Sequence, residues 1–386
     1  MARKFVGLLA IVAGSMAAGL SAPVAHASPP KIEVQAAAPT GSLPKGVSLS
    51  PDGRRLFVTN YGAKDHGNVT IYDAANLQRL DTIDVPGVVV ESALSPDGKT
   101  LYVSNFTRNT VQFVDLGSKK ITREIKAGMH PKILVVSHDG RTLYAANWGN
   151  ESVSVIEAAS GDVTRTLRTQ KNPRGMAVTR AGRLFVANFN GKSVDIFDTD
   201  PKAARENKVQ FATKRIRDLC EFPRHVVLSP DESKVYVSCL LANEVVVLDA
   251  RTGDVERRVK VGRFPKALDV TKDGRWIVSA DYRGSTTTLI DTLDWTTRTL
   301  DVPGMDAASG VVFARPPKSP LRPGRGKASA TAAMPEQQLR WFVTGWYDNH
   351  LYQVGVAGAG PHYTVDAATA EVTLKRRLFH NAHPVE

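Results

Sequence analysis

Apolar and polar residues alternate with a period of two in short stretches along most of the chain. Between Ser92 and Ile125 the order is Ser92-Ala93-Leu94, a turn, Leu101-Tyr102-Val103-Ser104-Asn105, a loop, Val111-Gln112-Phe113-Val114-Asp115, a second turn, then Ile121-Thr122-Arg123-Glu124-Ile125. Each piece is rich in β-branched and aromatic residues and is bounded by Gly, Asp or Asn, so the pattern predicts four short antiparallel strands. No helical period competes over this length.

The pattern repeats. Ser50-Pro51-Asp52-Gly53 returns as Ser95-Pro96-Asp97-Gly98, Ser137-His138-Asp139-Gly140, Thr179-Arg180-Ala181-Gly182, Ser229-Pro230-Asp231-Glu232 and Thr271-Lys272-Asp273-Gly274, at spacings of 45, 42, 42, 50 and 42 residues. A seventh, degenerate copy holds Val311-Val312-Phe313 in the matching apolar stretch. A period in the low forties with four strands per unit predicts an all-β, seven-bladed β-propeller. The expected blades cover residues 43–87, 88–128, 129–171, 172–220, 221–262, 263–304 and 305–379, within one propeller domain spanning 28–386.

Two inserts interrupt the period. Residues 200–218 lengthen the connection between the third and fourth strands of blade four and carry six basic residues. Residues 315–338, rich in Pro, Ala and Lys/Arg, separate the first two strands of blade seven and have the composition of a loop. Either Lys31–Gln35 or Val372–Phe379 is expected to close the ring.

Composition changes the picture in two ways. The 386 residues include 50 Lys plus Arg against 38 Asp plus Glu, a formal charge of +12, which favours an anionic partner. The first residues read as a Sec signal peptide over 1–27: Arg3 and Lys4, an apolar run from Phe5 to Leu20, then Ala25-His26-Ala27 before the cut. The expected location is therefore periplasmic or secreted. In that setting Cys220 and Cys239 are expected to pair; two free thiols, or a metal site adding His225, are the alternatives.

Four second strands end in Phe57-Val58-Thr59-Asn60, Tyr102-Val103-Ser104-Asn105, Tyr144-Ala145-Ala146-Asn147 and Phe185-Val186-Ala187-Asn188. With the Ser-Pro-Asp-Gly turns, this resembles the YVTN-type β-propeller repeat family, which includes YncE-like periplasmic proteins. The resemblance runs from about Leu43 to about Gly358, while Cys239, Asp281 and Gly345 replace the Asn in the last three copies. It implies a propeller similar in architecture to those of quinoprotein amine dehydrogenases and seven-bladed lactonases.

Aligning the copies puts two residue columns on one face. At the start of the first strands stand Lys45, Val90, Lys132, Arg174, Arg224, Lys266 and Ser309, and a proline directly precedes each of the five cations. At the ends of the second strands stand Asn60-Tyr61, Asn105-Phe106, Asn147-Trp148, Asn188-Phe189, Cys239-Leu240, Asp281-Tyr282 and Gly345-Trp346. Lys45, Lys132, Arg174, Arg224 and Lys266, with Asn60, Asn105, Asn147, Asn188, Trp148 and His225, are the candidate ligand-binding residues. The competing expectations are that the cations are merely solvated, and that the Asn and aromatic residues cap loops and pack between blades.

No nucleophile elbow, zincin motif, haem site or calcium loop is present. Gly191-Lys192-Ser193 lacks the first glycine of a phosphate loop and lies in a hairpin. His380 and His383 fall in the tail, and Asp73, Asp115, Glu157, Asp198, Asp249 and Asp291 read as turn residues. The sequence thus points to a monomeric, non-enzymatic propeller with no cofactor, no metal and no catalytic residue, holding an anionic small molecule or a partner protein. An enzyme or accessory subunit, lactonase-like or serving quinoprotein oxidation, and a single-stranded nucleic-acid binder are the alternatives.

Overall fold

The structure, a computed structural model, describes residues 32–199, 209–315 and 339–357. The expected signal peptide at 1–27, residues 200–208 and 316–338 of the inserts, Val372–Phe379 and the tail histidines lie outside these residues. Seven sheets, each built on four antiparallel strands, form the propeller ring. In blade one the strands are Pro44–Leu49, Arg55–Asn60, Val69–Asp73 and Arg79–Ile83, and the first strands of all blades line the axis.

Local chemistry explains the hairpins. The Ser50 hydroxyl donates to Asp52 Oδ1 at 2.5 Å and accepts the N–H groups of Arg54 and Arg55, while Gly53 sits at φ +76°. That left-handed geometry explains the glycine. Blade five uses Glu232 there at φ +61°. The turns also knit the ring: the Pro96 ring lies 3.0 Å from the point where a Cβ on Gly140 would sit, so the next blade's glycine lets it approach.

Apolar cores lie between blades. Phe57, Ile71 and Ile83 of blade one pack on Leu101, Val103 and Val114 of blade two. Trp276 and Leu289 of blade six meet Phe313 and the fully buried Trp341 of blade seven. Each fully buried side chain of this size contributes about 1.5–3 kcal/mol, and the sum over seven interfaces holds the ring.

Blade seven takes its outer strand from the other end of the chain. Ile32–Pro39 runs antiparallel to His350–Val356, so the chain's first described strand completes its last blade. The insert of blade four differs from the sequence expectation. Lys214–Ile216, read as insert, is that blade's fourth strand, and Val209–Phe211 adds a parallel fifth strand to Val163–Arg168 of blade three. The chain passes along the outer edges of two neighbouring sheets, where unpaired N–H and C=O groups accept a strand.

A cation–aromatic funnel at one end of the axis

The first strands enter the axis through a bulge. The register shifts between Pro44 and Gly46 and between Val89 and Ser92, which frees backbone N–H groups near the channel mouth. Second-strand hydroxyls take them up. Thr59 Oγ1 accepts from Gly46 N–H at 3.0 Å and donates to Val90 O of blade two at 2.9 Å. Ser104 likewise accepts from Glu91 N–H at 3.1 Å and donates to Lys132 O of blade three at 2.6 Å. Ser238 and Thr344 accept from His225 and Gly310 N–H. The Thr59 and Ser104 hydroxyls stitch neighbouring first strands together and fix where the cations stand; the sequence shows all four hydroxyls one residue before the second-strand ends.

The five predicted cations meet in this mouth, but they are not solvated. They are between 3% and 7% exposed. Their heads lie over aromatic rings. Lys45 Nζ is 4.5 Å from the centroid of Tyr61 and 5.4 Å from that of Trp346. Lys132 Nζ sits 3.8 Å from Trp148 and 5.4 Å from Phe106. The Arg174 guanidinium lies between Trp148 and Phe189 at 5.2 and 5.4 Å, and Arg224 stands 5.9 Å from Phe189. Lys266 Nζ is 4.1 Å from Tyr282 and 4.2 Å from Trp346. The ring quadrupoles partly replace the water these cations have lost.

Below the rings is a funnel of about 440 Å³, counting the part open to solvent, lined by Lys45, Arg174, Arg224 and Lys266 together with Glu91 and His225. Glu91 is the one carboxylate among its lining residues. A Cβ on Gly46 would collide with the Glu91 carboxylate, so the glycine makes room for the acid to reach inward. Burial pushes the Glu91 carboxyl above its ordinary range, opposed by Lys45, Arg174, Lys266 and Arg224. Burial, then the charges of Arg224 and Arg174, holds His225 down at about 4, and it is neutral at pH 7. Its Nδ1 accepts Leu268 N–H at 3.2 Å, which leaves the ring proton on Nε2.

Burial and the neighbouring Arg174 press Arg224 well below its usual range, and burial with Arg224, Lys45 and Arg174 does the same to Lys266. A guanidinium does not release its proton in a protein, and the two rings around Lys266 favour its ammonium form. The unmet solvation is therefore an attraction for negative charge entering the funnel.

The Asn column serves the fold. Asn60, Asn105, Asn147 and Asn188 are fully buried. Asn147 Nδ2 donates to Ser152 and Ser154 at 3.0 Å each and its Oδ1 accepts from Gly128 N–H. Asn60 donates to Gly67 O and Thr70, Asn105 to Pro86 O and Gln112, and Asn188 to Ser193. These bonds tie the four Asn amides to the propeller's own loops and strands, the structural role that was the competing expectation. Trp148 remains at the mouth as a cation platform. Where blade five lacks the Asn, Cys239 is bonded to Cys220, so neither is a free thiol or a metal ligand. In blade seven the Asp348 carboxylate occupies the room beside Gly345 and accepts from Asp306 N–H at 3.0 Å.

No group of three or more His, Cys, Asp or Glu side chains able to hold a metal occurs among the described residues. The acidic residues ending the third strands cap turns: Asp73 accepts from Ala75 N–H and Asp115 from Ser118 N–H, both at 2.7 Å. Sequence reasoning missed Glu91 as a funnel residue. Its signal was present, as a lone acid beside the one hydrophobic member of a basic column.

Comparison with known proteins places this geometry in context. Residues 82–257, a little under half of the chain, match the Choice-of-anchor I domain. A stretch of 113 residues is 26% identical to Antigen Lp49 of Leptospira interrogans serogroup Icterohaemorrhagiae serovar copenhageni (strain Fiocruz L1-130). That alignment covers 26% of this chain and 23% of the antigen, so the chain spans under a quarter of this curated relative. Among solved structures, hydrazine synthase of Kuenenia stuttgartiensis superposes with a TM-score of 0.66 at 19% identity, covering 82% of this chain and 96% of that one. At that identity the likeness is one of fold. The chain is a seven-bladed β-propeller that shares part of its length with the Choice-of-anchor I domain.

Proposed function

We propose that this protein is an exported or surface-located propeller that binds a small anion, or an anionic group of a partner, in the cation–aromatic funnel, and does so without catalysis. One observation carries the reading: four cations reach a single funnel against one carboxylate, with Arg224 and Lys266 deprived of solvent. Low-dielectric walls focus such a potential on an entering anion. The match to the Choice-of-anchor I domain and to a protein called an antigen supports the location, in keeping with the signal-like first residues and the resemblance to YVTN-type, YncE-like proteins. The funnel is complete within one ring, so a monomer suffices.

The aromatic rings bear on the choice of ligand. Trp148, Phe189 and Trp346 each contact two of the cations, and Phe106 is stacked on His130 at 4.2 Å. Faces engaged in this way do not offer platforms for stacked bases, which favours a small anion over single-stranded nucleic acid. Anion titration followed by tryptophan fluorescence tests the proposal, since Trp148 and Trp346 border the mouth. Wild type should give a saturable change that Arg224→Glu abolishes. A response equal in both proteins, or none in either, overturns it, and lactone turnover would then be the activity to assay.

A further inference from the structure

The funnel presents donors from nearly every side and an anionic acceptor from one. Lys45 faces Glu91 from blade one, Arg174 from blade four, Arg224 from blade five and Lys266 from blade six, and His225 lines the same funnel. An anion drawn in by these cations meets the Glu91 carboxyl, which Gly46 holds at close quarters. Two oxyanions in contact repel; with one proton between them they form a short, charge-assisted hydrogen bond instead.

We infer that Glu91 and the bound anion share a single proton, and that the funnel therefore selects inorganic hydrogen phosphate over oxyanions that carry no proton. The inference rests on the anion-site reading above. Hydrogen phosphate brings the proton on its own hydroxyl, so it binds with no exchange with solvent. Sulfate brings none, and its binding requires Glu91 to take one proton from solution. A phosphate monoester, whose second proton leaves near pH 6, behaves like sulfate at pH 7.5 and like phosphate at lower pH. The acid thus determines specificity, while the cations supply affinity.

The test is calorimetric titration of the protein with phosphate, sulfate and glycerol phosphate at pH 7.5 and 5.5, each in two buffers of different ionisation enthalpy. Phosphate should bind at least about tenfold tighter than the other two at pH 7.5, the effect of one charge-assisted hydrogen bond. Sulfate binding should take up about one proton and close most of the gap at pH 5.5. In Glu91→Gln the amide can donate to any oxyanion, so the three should bind alike. Equal affinities in wild type overturn the inference alone, as does a phosphate preference that survives in the variant. The wild-type ratio and proton uptake decide the matter even if the variant does not fold. If none of the three anions binds, the anion-site reading itself falls.

Discussion

Blades three and five share the same four strands, yet they hold the mouth of the channel by different means. In blade three Asn147 bonds Ser152, Ser154 and Gly128 N–H, and Trp148 carries Lys132. Blade five has neither residue: Cys239 is bonded to Cys220, and Leu240 follows it, buried. Arg224 nevertheless stands in the same column, three residues past the loop's Glu221 and bordering the funnel. A lost structural residue is replaced by another bond in the same place, whereas the lost cation of blade two is not replaced. Val90 is simply buried, and the neighbouring Glu91 brings the opposite charge. The contrast separates what closes the ring from what the ring presents.

The largest expected effect comes from cutting the substitute bond. The disulfide closes a loop of 19 residues, and chain-entropy arguments put its contribution at about 3 kcal/mol. Replacing both cysteines with alanine should cost about that much in urea unfolding. Placing Asn at 239 in the Cys220→Ala background should recover part of the loss. No recovery would mean that the two devices are not equivalent.

Blade six offers a second way to sharpen the comparison, because Asp281 stands where the Asn belongs. Burial pushes its carboxyl up to about 6, against hydrogen bonds from Ser279, Thr288 and Thr286. Its folded pKa lies above that of the unfolded chain, so this group's contribution falls as pH rises from about 4 to 6 and stays lost above. Asp281→Asn should therefore add about 2–3 kcal/mol at pH 7.5 and nothing at pH 4, from a shift of about two units. A gain independent of pH would contradict this account.

The smallest effect concerns the stitching. Thr59→Val removes the hydroxyl that links Gly46 N–H to Val90 O and should cost about 1–2 kcal/mol in thermal or urea unfolding. Ser104→Ala should cost a similar amount. The neutral alanines at 146 and 187 mark blades already built without the link, so substitution there by valine should show no loss of hydrogen bonding.

Fold was legible because it is written in repetition: the turns, the strand lengths and the basic column all recur at one period. Closure by a strand at Lys31–Gln35 was one of two expectations, since a single strand carries no repeat signal, and the observed strand runs on to Pro39. The fifth strand at Val209–Phe211 was hidden because a stretch of mixed polarity pairs through its backbone, which composition does not reveal. The columns identified the mouth, but each cation is also covered by a ring from the preceding or following blade, a relation that only closure creates. Glu91 gives no sign of its partners in the sequence for the same reason. Its partners lie on blades one, four, five and six, far away in sequence.

The course of the strands gives the molecule a polarity with practical weight. Ile32 pairs with Val356 at the end of the ring remote from the funnel, and Thr199, Phe313 and Arg340 also lie toward that end. The described strands Ile32–Pro39 and His350–Val356 therefore have Ile32 and Val356 on the side away from the funnel. A biotin or fluorophore attached to a turn at that end, such as the one at Asp52, would sit behind the ring. Immobilised through such a handle on a sensor surface, the protein would face the flowing solution with its mouth open, and the attachment chemistry would leave the proposed anion site undisturbed.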